Sequence, residues 1–491
     1  MLRIAAPTVA SMASVPAMTF VDRYFCGQLG AEGLAASGNG GLIAWVPVSA
    51  MMGIIGVVGT FVSQNLGAGR PERGAAYAWN ALWLVLLVWV LIYLPLAYYV
   101  PDIMAAVRGL FGVHDMDPVI ARNEALFARI QLCGMCVVLG GRAFHQWFFG
   151  MHRTLVPMVG VLSGNVLNFF LTWFFVLGGF GWKGWGVPGS AAANLFGAAV
   201  ELVVPLVVFL GAANRAKYAT LSSWRPDLSK IGEIVKLGWP AGLMFGNEMV
   251  CWGIFMAVLV AQFGAAHNAA AYIALAYMQT SFMPAVGMSY AVQSIVGKSI
   301  GAGRPDEAAS RAWQGVRVTM VYMVLCALCF VLFRHQLVGV LMPAQGEQGG
   351  GDPAEIMALG SSLLILAASF QIFDAMGITM IGALRGAGDT VWPGVMTMAL
   401  SWTVIVGGGR LMVKMMPEWK SYGPWVAASA YIILFAIGVV WRWQSGVWRR
   451  IKVLQDGPAD AGEVVRADAA PMPTGGEIAG VPGEMAPPEP V

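Results

Sequence analysis

The chain has 491 residues, of which 58% are hydrophobic and only 11% are charged. Water-soluble domains usually hold about 45–50% apolar and about 25% charged residues, so this composition cannot cover a soluble fold. The net charge of +3 is small, and no Lys/Arg-rich stripe with interleaved aromatics is present, which speaks against a nucleic-acid partner.

A hydrocarbon core of about 30 Å takes roughly 20 apolar residues per helix. Such runs recur along the chain, at about 4–26, 34–64, 77–100, 124–149, 155–178 and 186–211. They continue at about 236–263, 269–297, 313–342, 356–383, 391–413 and 423–443. The fold class read from this is an all-α polytopic membrane protein with about twelve transmembrane helices. The 62 glycines suit close helix packing in lipid. The first run carries Asp22 and has no A-x-A-like cleavage site after it, so it reads as a retained helix. Pro16 within it can free a carbonyl and bend the helix. Cys133-x-x-Cys136 and Cys326-x-x-Cys329 lie inside apolar runs without a partner His/Cys cluster, so they read as small packing residues.

Lys and Arg concentrate in alternate loops, at Arg70, Arg73, Arg153, Lys230, Lys298, Arg304, Arg385 and Arg449 among others. That asymmetry predicts that both termini are cytoplasmic, although Lys414 and Lys420 run against it. Residues 446–491, rich in Pro, Gly, Ala and acid, are expected to be a disordered cytoplasmic tail.

The chain also repeats itself. "LGAGRPERGAAYAW" at Leu66 matches "IGAGRPDEAASRAW" at Ile300, an offset of 304 − 70 = 234 at the arginines. "GMHRTLVP" at Gly150 matches "GAGDTVWP" at Gly386, an offset of 390 − 154 = 236 at the threonines. Two agreeing offsets predict two pseudo-symmetric six-helix lobes: an N-lobe over 1–211, a linker over 212–235 and a C-lobe over 236–445. An even number of spans per half gives both lobes one orientation, with a binding cavity between them. No nucleotide site is visible. "VGKS" at 296–299 would need a glycine at 292, where Val292 stands. A transporter of this kind must draw on an ion gradient.

Several segments together resemble the multidrug and toxic compound extrusion (MATE) family: "FVDRYFCGQLGAEGLAA", "SQNLGAGR", "GWPAGLMFGNE" and "FQIFDAMGITMIGALRGAGDTVWP". The resemblance covers about 1–445. It implies two six-helix lobes forming a V, and export of amphiphilic, often cationic compounds in exchange for H⁺ or Na⁺.

Ionisable groups inside the spans mark the candidate site, since a charge at the bilayer centre costs about 2.5–3.5 kcal/mol. Glu248 and Asp374 match the acidic pair that some bacterial MATE members carry in the C-lobe. Two carboxylates close together in low dielectric cannot both ionise cheaply, so such a pair can hold a proton or coordinate Na⁺. Phe370 stands where related members commonly have Tyr, which removes a hydroxyl and tilts the expectation toward H⁺. In the N-lobe, Asp22 is the corresponding candidate. The resemblance adds Asn168, Thr172 and Asn194, with Thr172 where some relatives carry Asp. Asn168 and Thr172 are four apart and share a helix face. Glu201 is weighed as a packing contact.

The expected function is therefore a cation-coupled antiporter, with H⁺ favoured over Na⁺, exporting amphiphilic or cationic organic compounds by alternating access. No catalytic residues, resident metal or organic cofactor are expected. The expected setting is the inner membrane, with lipid and small organic cations as partners and a monomeric protein. Two alternatives were weighed. A flippase for lipid-linked sugars should show a strongly cationic central groove. A membrane-embedded lipid-modifying enzyme should show a nucleophile–base or metal cluster within the spans.

Overall fold

A computed structural model of the protein describes residues 1–110, 118–179, 181–342 and 352–454. These residues are almost entirely helical, and the β structure among them is one isolated bridge between Gly179 and Trp182. The first six helical units are α1 (Leu2–Gly27), α2 (Ala31–Gly56, running on as Val58–Gly67), α3 (Glu72–Val88, running on through Leu94–Leu110), α4 (Pro118–Cys133 and Met135–Gly150), α5 (Leu155–Leu177) and α6 (Val187–Phe209). The second six are α7 (Leu228–Ile254, running on through Phe255–Val260), α8 (Ala265–Gly301), α9 (Pro305–Leu332), α10 (Pro353–Ala387), α11 (Val391–Leu400, running on to Met415) and α12 (Tyr422–Gln444).

Among the described residues, 10 helices are long and apolar enough to cross a membrane, and the two halves of α4, bent by 45° at Gly134, pass the same test when taken together. The remaining unit, α8, is 37 residues long and lacks a sufficiently apolar window. Its surroundings explain this. It packs between α1 and α10, and its buried side includes Ser281, Ser289, Gln293 and Ser294 as well as small apolar residues. A helix enclosed by protein can satisfy polar side chains that lipid could not.

α7 begins at Leu228, eight residues before the apolar run at 236. Asp227 caps it, accepting from the backbone N–H groups of Ser229 at 3.0 Å and Lys230 at 3.4 Å. The Lys230 ammonium also donates to Asp227, and this bond comes first in holding the carboxyl below its ordinary value. A depressed carboxylate contributes stability that is present above the unfolded value and lost as pH falls through the folded one. Asp227→Ala should destabilise the protein by about 1 kcal/mol at neutral pH, and the loss should vanish in acid. Thermal unfolding in detergent at both pH values checks this.

The repeat seen in the sequence recurs in backbone geometry. Gly30 and Gly264, which precede α2 and α8, have φ of 98° and 101°. Gly69 and Gly303 take 77° and 71°, and the turns close through Arg70 N–H to Asn65 O and Arg304 N–H to Ser299 O, both 2.9 Å. His152 adopts φ 59° where its repeat mate Gly388 adopts 87°. A histidine thus holds a left-handed position that the other half gives to glycine.

Helices α1–α6 and α7–α12 pack largely among themselves, and α1 with α8 and α2 with α7 form the main contacts between the two halves. The crossing of α2 and α8 is closest at the end carrying the basic turns. A Cβ on Gly67 would collide with Lys298 O, and one on Gly301 with Gln64 O. Side-chain hydrogen bonds lace the same end. Thr60 Oγ1 donates to Arg385 O at 2.8 Å and Gln64 Nε2 to Gly386 O at 2.9 Å. Gln293 Nε2 reaches Gly56 O at 2.8 Å and Thr60 Oγ1 at 3.1 Å, and Ser294 Oγ donates to Phe149 O at 2.6 Å.

Beyond α12, a 3₁₀ turn over Val447–Arg450 stacks Trp448 on Trp443 with ring centres 4.2 Å apart. Packed structure therefore continues past the expected start of the tail at 446. Residues 455–491 of that tail lie outside the described residues.

Candidate functional site

The N-lobe site is built by α1, α5 and α6. Asp22 lies near the C-terminal end of α1 and is half-buried. Its Oδ1 accepts from Thr172 Oγ1 at 3.3 Å. Asn168, one turn earlier on α5, donates through Nδ2 to Asn194 Oδ1 on α6 at 2.7 Å. Asn168 and Thr172 are both buried, as the four-residue spacing requires if one face of α5 meets α6. Asn194 and Ser190, one turn apart on α6, also stand against the Asp22 carboxyl. The structure therefore brings Asp22, Asn168, Thr172 and Asn194 into one polar cluster, and adds Ser190 and Cys26 to it. Asn168 Oδ1 and Ser190 Oγ are buried without hydrogen-bond partners. These oxygens beside a carboxylate are the donor chemistry that a proton or a small hard cation uses.

α1 runs unbroken through Pro7 and Pro16. Pro16 removes one intrahelical donor, leaving the carbonyl one turn earlier without its usual partner. Glu201 behaves as a packing group. Its carboxylate lies 3.8 Å from Arg142 of α4, and its backbone oxygen is 3.1 Å from His145 Nε2. Glu124, also on α4, is buried and accepts from Asn39 Nδ2 at 2.7 Å. The sequence reading had Glu124 only at a span boundary.

The C-lobe site is built by α7, α10, α11 and α12. Glu248 and Asp374 are both half-buried and lie within electrostatic reach of each other. No hydrogen bond is formed between them, and each helix also packs on a further one, α7 on α11 and α10 on α12. Tyr431 of α12 donates to Glu248 Oε1 at 3.3 Å and is itself buried. This hydroxyl comes from a different helix than the one where Phe370, also buried, offers none. Beside Glu248, Asn247 donates to Ser401 Oγ at 2.7 Å and accepts from Trp402 Nε1 at 2.8 Å. Ser401 and Trp402 open the π-helical stretch Ser401–Gly408 of α11, whose wider turn aims both at α7. Gln371 donates to Ser281 Oγ at 3.1 Å and leaves its own Oε1 unpartnered.

Among the described residues, Asp22, Glu248 and Asp374 form no ion pair with Lys or Arg, and no group of three or more His, Cys, Asp or Glu is placed to hold a metal ion. Tyr431 and Ser190 were missed in the sequence. Tyr431 sits in an apolar run without a motif, and a signal for Ser190 existed only as its four-residue spacing from Asn194.

Comparisons with known proteins bear on the same region. The MatE family model matches the chain twice, over residues 7–174 and 243–408, an offset of 243 − 7 = 236. The chain is 28% identical over 415 residues to "Probable multidrug resistance protein NorM" of Burkholderia pseudomallei (strain K96243), covering 82% of this chain and 83% of that one. It is likewise 28% identical over 408 residues to "Multidrug resistance protein PmpM" of Pseudomonas aeruginosa, covering 82% and 81%. Among solved structures it resembles a MOP superfamily transporter from Pyrococcus furiosus, with TM-score 0.80 at 18% identity over 92% of this chain and 96% of that one. The eukaryotic MATE transporter AtDTX14 superposes with TM-score 0.76 at 16% identity over 91% and 96%.

Proposed function

The chain belongs to the MatE family of membrane transporters, and from that membership we propose that it exports small organic compounds, amphiphilic or cationic, in exchange for a cation entering the cell. The supporting observation is the placement of Asp22 in one lobe and of Glu248 with Asp374 in the other, each within a span and none with a cationic partner among the described residues. Such groups stay in a membrane for function, because an uncompensated charge there is costly. A proton or Na⁺ that loads them changes the local charge and so changes which packing of the lobes is favoured. The curated relatives named above are called multidrug resistance proteins, which supports the substrate class. H⁺ is the preferred coupling ion, because Phe370 and Thr172 each withhold an oxygen or carboxylate that a Na⁺ shell would use. The basic turns face the cytoplasm in this reading, both termini lie inside, and the protein acts as a monomer in the inner membrane.

One charge moved across 100 mV is worth about 2.3 kcal/mol, and at about 1.4 kcal/mol per decade this supports roughly a fifty-fold outward gradient of a neutral compound. The test is efflux of a fluorescent organic cation from proteoliposomes, with an imposed pH gradient compared with an imposed Na⁺ gradient. The expected result is efflux driven by the pH gradient. Drive by Na⁺ alone would replace the coupling ion, and no movement of several cations under either gradient, by protein shown to be folded, would overturn the antiport reading.

A further inference from the structure

Arg385 counts among the basic residues that the charge asymmetry assigns to loops, yet the structure places it inside the protein. It stands two residues before the end of α10, yet it is only 5% exposed. Its carbonyl accepts from Thr60, while its Nη1 would stand 3.4 Å from a Cβ on Gly56, one turn further from the basic end of α2. Long cations near a helix end ordinarily reach outward to water. This one turns inward, between the lobes. Gly56 lies eleven residues before Gly67 within the same apolar span, roughly 16 Å along it at about 1.5 Å per residue.

What surrounds the guanidinium is aromatic and neutral. Its carbon lies 5.4 Å from the ring centre of Tyr290, which stacks on Phe149 at 5.7 Å. Its Nε and Nη1 are buried without hydrogen-bond partners and the nearby Gln293 Oε1 is also unpartnered, while the Tyr290 hydroxyl bonds the guanidinium without neutralising its charge. It forms no ion pair among the described residues. Glu201 is engaged by Arg142, Asp22 by Thr172 and Glu248 by Tyr431, and Asp374 stands eleven residues earlier on α10, about 16 Å away along the helix.

The repeat shows that this is a property of one lobe only. By the two offsets, Tyr290 corresponds to Gly56 (290 − 234), Gln293 to Gly59 (293 − 234) and Arg385 to Phe149 (385 − 236). These residues meet at the lobe interface, where a Cβ on Gly59 would lie 3.4 Å from Gln293 Nε2. The N-lobe contributes two glycines and a phenylalanine, and the C-lobe fills the space with a tyrosine, a glutamine and a cation.

A guanidinium cannot shed its proton to become neutral, and a buried charge needs a partner. A cation–π contact offsets only part of that need. We propose that Arg385 is the protein half of an anion site between the lobes, and that an oxyanion group of the ligand completes it. Tyr290 and Phe149 would flank the ligand's apolar body. The inference rests on the transporter reading and extends it, because it assigns a place for the anionic group of a carried compound. A carboxylate on that compound and a free small oxyanion share the required chemistry.

The probes are a cationic xanthene dye with a free carboxylate and its ethyl ester, with binding to the full chain in nanodiscs followed by fluorescence anisotropy. Arg385→Gln should weaken binding of the acid at least about tenfold and leave the ester unchanged, since a charge-assisted hydrogen bond is lost with the acid alone. Arg385→Lys, which keeps the charge, should restore part of the acid's affinity and guards against a fold lost in the neutral variant. If the occupant is a free oxyanion, ester binding to the parent will depend on added sulfate, and Arg385→Gln will abolish that dependence. Equal weakening of both dyes, or no change in either, without sulfate dependence, would overturn the site. Transport of the ester under a gradient reports on the multidrug reading alone, so the two can fail separately.

Discussion

Glu248→Gln and Asp374→Asn should each abolish gradient-driven efflux while leaving the protein folded and able to bind substrate. Both side chains sit within spans, with no ion pair among the described residues, and each amide keeps the volume of the acid it replaces. What the amide removes is the ability to take up and release a cation. Without that step the two lobe packings lose the bias that the ion gradient supplies, because a ligand shifts an equilibrium only by its differential affinity for the two states. Coupling free energies between sites are typically about 1–3 kcal/mol, so uphill accumulation should fall about 5- to 150-fold, with the gradient-independent exchange of substrate preserved. Tyr431→Phe is the graded comparison. It removes the 3.3 Å hydrogen bond to Glu248 but no carboxylate, so it should shift the pH at which transport is half-maximal more than it lowers the maximum. Proteoliposome efflux over a pH series measures both. Full coupled transport by either amide variant would remove the C-lobe carboxylates from the mechanism.

The sequence made the spans, the duplication and the acidic residues legible for definite reasons. Apolar runs need no partner to be seen, although the one at α8 proved too polar to cross a membrane by composition alone, and "GAGRP" occurs twice because the same glycine turn, with φ near 77° and 71°, ends α2 and α8. What it could not carry is information held between helices. Glu248 and Asp374 read as a pair because both are acids in apolar runs, but the hydroxyl that bonds Glu248 belongs to Tyr431 of α12, which no motif marks. Arg385 read as a loop cation because basic residues gather at that helix end, whereas its burial against Tyr290 arises only once α8 and α10 pack together. Asp22, Asn168, Thr172 and Asn194 were brought together by the family resemblance, and Ser190 joins them through helix spacing that only gains meaning once α1 and α6 are in contact.

The second large effect is expected where the lobes meet. Gly301→Val and Gly67→Val should each stop transport, with protein still inserted in the membrane. At both positions the neighbouring backbone carbonyl occupies the place of a side chain: Lys298 O against Gly67, and Gln64 O against Gly301. Close approach of two backbones through glycine is what lets this crossing form in lipid, where apolar burial drives little association. The bond from Gln293 to Gly56 O spans this crossing, and those from Thr60 and Gln64 to α10 and from Ser294 to α4 tie the same two helices to their neighbours at the same end. Each contributes about 0.5–1.5 kcal/mol net, so together they amount to a few kcal/mol. That is the size an alternating-access transporter requires, since a much stronger contact would lock one state and a weaker one would leave the end unsealed. A valine forces α2 and α8 apart, breaks the Gln293 bond directly and strains the bonds that tie the two helices to α4 and α10. Hydrogen–deuterium exchange over 60–67 and 293–301 should therefore rise in both variants, and efflux should fall to background even though Asp22, Glu248 and Asp374 are intact. Normal exchange with normal efflux would show that the crossing is not part of the moving interface. Raised exchange with normal efflux would show that its closure is not needed for the cycle.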